Sequence, residues 1–77
     1  MREMVTFPEI ERILEILDER EISRERIEIP LGAKDPGGVK TLSNGKIRVT
    51  VPASGDFEPW LERIQPEILL ALGWTEG

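Results

Sequence analysis

Apolar residues recur with a helical period at both ends of the chain and with a strand period between them. Ile10, Ile13, Leu14 and Leu17 stand at i, i+3, i+4 and i+7, which predicts a first helix with one apolar face, ending near Arg20. Its start is marked by Thr6 and Glu9 at capping-box spacing and by Val5 and Ile10 placed to close a hydrophobic staple. Pro8 falls in the first turn, where its missing N–H costs nothing. From Arg26 the period drops to two. Ile27, Ile29 and Leu31 alternate with Arg26, Glu28 and Pro30, giving a half-buried strand that Pro30 marks as an edge or an end.

Asn44-Gly45, lying between residues 39–42 and 46–52, predicts a β-hairpin with a two-residue type I′ turn, whose two central positions both need positive φ. In that register Leu42 pairs with Ile47, and Leu42, Ile47, Val49 and Val51 point inward. Lys40 then falls on the core side opposite Val49, so either its stem snorkels past the sheet edge or a bulge near Gly37-Gly38 re-aims it. Asp56 is the expected N-cap of a second helix with the stripe Phe57, Trp60, Leu61 and Ile64. Ile68, Ala71 and Leu72 stay in phase beyond Pro66, which favours one helix kinked there over two. Gly73 suits the position after that helix, and Trp74 the next one, in a Schellman ending.

The expected fold is α+β, in the order helix-strand-strand-strand-helix, with a three-stranded antiparallel sheet and both helices packed on one face. Residues 1–77 read as a single small domain. Three glycines and a proline make residues 32–38 an exposed loop whose order is left open. At this length only roughly 60% of the chain's surface is buried on folding, so the core is thin and self-association as a homodimer is a live expectation.

Composition removes chemistry. The chain has neither cysteine nor histidine, which excludes disulfides, thiol nucleophiles, the common zinc sites and the usual general base at neutral pH. None of the 15 acidic residues stands isolated on a predicted core face, where desolvation would raise its pKa. Ser23, Ser43 and Ser54 fall in connections, and no Asp-x-Asp calcium spacing occurs. Gly32, Gly37, Gly38, Lys40 and Thr41 miss the spacing of a phosphate loop and lead into a strand rather than a helix. No catalytic residue, no cofactor and no metal is therefore expected, and the chain reads as a non-enzyme. No apolar run approaches the roughly 20 residues of a membrane span, so a cytoplasmic location without membrane contact is the default.

The net charge of −5 is unevenly spread. Residues 1–25 carry four basic and eight acidic groups, residues 26–52 five and two, and residues 53–77 one and five. Acidic helices thus flank a basic sheet. Glu11, Glu15 and Glu19 recur every four residues with Asp18 beside them, a ridge suited to steering a basic protein partner. Ile16 and Leu70 fall outside the two apolar stripes and are added as contact residues for a partner or a second copy. The leading expectation is a small non-catalytic protein-interaction or regulatory module. The alternative is nucleic-acid binding by the sheet's open face through Arg26, Lys46 and Arg48, opposed by the small excess of positive charge and by the lack of aromatics for base stacking.

Overall fold

The computed structural model describes residues 3–74; residues 1–2 and 75–77, the ends of the expected 1–77 domain, lie outside it. Helix α1 spans Phe7–Asp18 and opens with the expected capping box: Thr6 Oγ1 accepts the Glu9 N–H, and the Glu9 carboxylate accepts the Thr6 N–H at 3.0 Å. Ile13 and Leu17 are fully buried, with Ile10 and Leu14 half-buried beside them. The helix closes on Glu21, which takes a left-handed φ of 56°. The Ile22 N–H reaches back to the Leu17 carbonyl at 2.9 Å and the Glu21 N–H to the Asp18 carbonyl at 3.2 Å, a Schellman ending built without glycine. Ile22 packs against the core from there.

A 3₁₀ turn, Arg24–Arg26, leads into β1, Ile27–Glu28, which is shorter than the expected strand. Ile27 is buried, Ile29 half-buried and Leu31 exposed. Strand β2 spans Gly38–Thr41 and β3 spans Ile47–Thr50. The sheet order is β1-β3-β2, with β2 antiparallel to β3 but β1 parallel to it. The sheet is therefore mixed, and the purely antiparallel expectation is corrected. Burial explains why β3 takes the middle: Ile47, Val49 and the following Val51 are all fully buried, whereas β1 runs toward Pro30 and β2 carries Gly38 and Lys40.

The hairpin also differs by one residue. Thr41 pairs with Ile47, Lys40 with Arg48 and Val39 with Val49, and residues 42–46 join the strands, with the Leu42 N–H on the Lys46 carbonyl at 2.8 Å closing a three-residue turn, 43–45. Only Gly45 takes positive φ there, at 80°, while Asn44 uses its side chain to accept the Lys46 N–H. The longer loop turns Val39 toward the core and Lys40 to solvent, and leaves Leu42 half-exposed instead of inward. An unpaired ammonium costs several kcal/mol to bury, against roughly 1.5–3 kcal/mol gained by burying a leucine, so the register that frees Lys40 wins without a bulge or snorkelling.

The connection 32–38 is tied at both ends. Met4 bridges Gly32, the Ala33 N–H reaches the Glu3 carbonyl at 3.0 Å, and the Lys34 N–H reaches the Val51 carbonyl at 2.9 Å. Gly37 lies so close to the backbone at Thr50 and Pro52 that a Cβ would stand 2.8 Å from either. Asp35 then accepts both the N–H and the hydroxyl of Ser54, at 3.0 and 2.9 Å, fastening this loop to the residues before helix α2. Those two hydrogen bonds hold the Asp35 carboxyl below its ordinary pKa.

Helix α2 spans Phe57–Ala71, with Asp56 at the N-cap position, and runs through Pro66 as one element. It ends as expected: Gly73 adopts a φ of 77°, and the Trp74 N–H bonds the Leu69 carbonyl at 3.0 Å. Phe57, Trp60, Leu61, Ile64, Ile68 and Leu69 join the buried residues of α1 and β3 in one apolar cluster. Helix α2 packs on β2 and β3, and α1 packs on α2. No helix among the described residues is long and apolar enough to cross a membrane.

Candidate interaction surface

The acidic ridge on α1 is laced with arginine. Arg12 bonds Glu15 at 2.9 Å, one turn away, and grips Glu58 of α2 at two points, 3.1 and 2.8 Å. Arg24 is brought back along the helix by the turn at Glu21; its Nε bonds Asp18 at 3.0 Å and its Nη2 lies 3.7 Å from Glu11. Arg20 lies 3.5 Å from Glu19. Each of the four expected carboxylates, Glu11, Glu15, Asp18 and Glu19, thus has a guanidinium within reach. Hydrogen bonding by Arg24 holds the Asp18 carboxyl below its ordinary pKa, and hydrogen bonding by Arg12 does the same for Glu58. Arg12 three residues before Glu15 was legible in the sequence; the return of Arg24 and the partnership with Glu58 depend on tertiary structure.

The two apolar contact residues separate. Ile16, expected at the contact surface, is buried and belongs to the core. Leu70 stands 74% exposed, the most exposed large apolar side chain among the described residues. It borders an open groove of about 520 Å³ lined by Pro66, Leu69 and Trp74, with Glu62 toward one end and Arg20 at the other. The Arg20 guanidinium lies 5.2 Å from the centre of the Trp74 ring and donates to the Ile16 carbonyl at 3.2 Å, while its buried Nε has no partner. A smaller hollow between the helices shares Glu62 and Gln65 with this groove and continues to Glu15, Glu19 and Glu58, so the acidic strip runs into the apolar one. The groove escaped the sequence reading because it needs the end of α1 beside the end of α2.

On the sheet, Glu28, Arg48 and Lys40 form one row across β1, β3 and β2. Arg48 is 4.0 Å from Glu28, and Lys40 faces Arg48 as a like charge. Arg26 reaches the Gly45 carbonyl at 3.4 Å, and the Lys46 side chain is exposed beside it. Lys40 therefore joins the expected Arg26, Lys46 and Arg48, a member that the two-residue turn had hidden. Among the described residues no polar or charged residue is buried as a whole, and no three acidic side chains converge where a metal ion could be held. No protein-family model matches the chain, and neither a curated protein nor a solved structure matches it.

Proposed function

We propose that the chain is a small non-catalytic interaction module whose contact surface is the flank formed by α1 and α2, with a basic protein as partner. Both helices lie over one face of the sheet in this reading, supported by the single core cluster that joins their apolar sides to Ile47 and Val49. The observation that carries the proposal is Leu70, exposed beside an apolar groove that is continuous with Glu15, Glu19, Glu58 and Glu62. Apolar groups supply affinity there and carboxylates supply steering, with arginine pairing holding several of those carboxylates in place. A lysine-rich amphipathic helical peptide is the matching probe, with the change in tryptophan fluorescence as the readout, read in a Trp60→Phe background so that Trp74 alone reports. Binding should weaken with salt, fall several-fold in the double variant Glu15→Lys/Glu19→Lys and be lost in Leu70→Glu. Absence of binding at low salt, or full binding by Leu70→Glu, would overturn the reading.

A second reading, binding of a nucleic-acid backbone by the outer sheet face, is favoured by one observation: Lys40 stands opposite Arg48, adding a fourth cation to Arg26, Lys46 and Arg48. Like charges directly opposite repel by roughly 0.2–1 kcal/mol, a cost that a bound polyanion would reverse. Anisotropy titrations with single-stranded and duplex probes should show affinity that drops steeply with salt and again in Arg48→Glu. Unaltered affinity in that variant removes the face from consideration.

A further inference from the structure

Three features compete for a second role: the hollow between Lys34, Gly37, Gly38 and Lys40, the exposed apolar residues Met4, Phe7 and Leu31, and the end-to-end polarity of the α2 groove. The first is a shallow depression whose two exposed lysines share it with Asp35, already bonded to Ser54, and the second shows nothing about what would cover it. The third specifies its own occupant.

Glu62, Pro66 and Leu70 follow one another at four-residue spacing, so they form a single ridge on α2, about 12 Å long at 1.5 Å per residue. Past the helix end the chain turns back at Gly73, and the Trp74 ring there lies against the Arg20 guanidinium. Glu62 begins the ridge, Arg20 from the end of α1 lies by Trp74 past its finish, and the exposed Pro66 and Leu70 stand between. A surface of that kind is complementary to itself when reversed. Turning one copy about a two-fold axis midway between Pro66 and Leu70 sets Leu70 against the partner's Pro66. The same operation brings Glu62 to the partner's Arg20, twice over by symmetry.

We infer that the α2 ridge is a homodimer contact, in which two copies pack α2 against α2 antiparallel, Leu70 against Pro66, with Glu62 and Arg20 paired across the interface. This rests on the reading of the flank as a contact surface and names a second copy as an occupant. The ridge is one helix face, smaller than the roughly 800 Å² per partner of a standard stable complex, so association is weak and reversible. Charge order sets the pairing: a parallel arrangement would place Glu62 against Glu62 and Arg20 against Arg20.

Sedimentation equilibrium on the full chain, from roughly 10 µM to 1 mM, reads the association directly. Dimer is expected in this range, with at least a tenfold loss of association constant in Leu70→Glu and a clear loss in Glu62→Arg, both substitutions at exposed positions that spare the core. Arg20→Glu should be equally impaired alone, while its mixture with Glu62→Arg should restore a heterodimer, because both cross-interface pairs are then opposite in charge. A wild-type chain that stays monomeric throughout overturns the dimer, as does a Leu70→Glu chain that dimerises unchanged. If far-UV circular dichroism shows Arg20→Glu unfolded, the Leu70→Glu and Glu62→Arg results decide alone. Failure is separable from that of the proposed function: a monomer that binds the lysine-rich peptide removes only the dimer, and a dimer that ignores the peptide removes only the basic partner.

Discussion

Glu21 ends α1 in a backbone conformation that glycine usually supplies. Its Cβ crowds the following carbonyl, at a cost of about 1–2 kcal/mol, in exchange for a turn that aims Ile22 at the core and Arg24 at Asp18. Replacing it relieves that crowding and gives back part of the gain as chain entropy. Glu21→Gly is thus expected to stabilise the fold by about 0.5–1 kcal/mol. In a chain of this size each kcal/mol raises Tm by roughly 4–8 °C, well within the resolution of a calorimetric scan. At this scale the sequence was partly transparent. Thr6 with Glu9 and Gly73 with Trp74 announced their caps because side-chain chemistry and backbone demand coincide there. Glu21 announced nothing, since the need for a left-handed residue arises from where Ile22 must go.

Among the elements, the hairpin shows how a short motif yields to burial. Asn44-Gly45 marked the turn's place, but its length was decided by which of Val39 and Lys40 faces inward. The register makes a paired forecast: Val39→Ala should cost about 1 kcal/mol through lost packing, whereas Lys40→Ala should stay within about 0.5 kcal/mol of wild type or gain slightly from removed repulsion. Urea midpoints of the two variants measure this, and the two-residue register would have reversed their order. Helix extents and the continuity of α2 through Pro66 were legible because the apolar stripe keeps phase on both sides of the proline. The neighbours of β1 were not, because alternation states which face is buried and is silent about which strand lies alongside.

For the molecule as a whole, three acidic anchors hold pieces together: Glu58 to Arg12 between the helices, Asp18 to Arg24 across the turn, and Asp35 to Ser54 between two loops. All three carboxyls have their pKa values lowered in the folded state, so they bind protons more readily once unfolded. Their contribution is complete above the ordinary carboxylate value near 4 and drains away as acidity carries the pH down through the folded values. The urea midpoint should therefore hold level from about pH 8 to 5 and decline below about 4, with a shallower decline in Arg12→Met, where Glu58 has lost its partner. The candidate contact surface was only half visible beforehand: Leu70 stood out as an apolar misfit on its helix, while Ile16, a similar misfit, lay under the arch between α1 and α2. The mixed sheet, finally, imposes an order of assembly. Strands β2 and β3 meet across five residues, whereas β1 finds its neighbour only 20 positions downstream, Ile27 beside Ile47, so loop-closure entropy favours closing the hairpin first. The leading strand is thus expected to dock last, onto an edge that the trailing hairpin supplies.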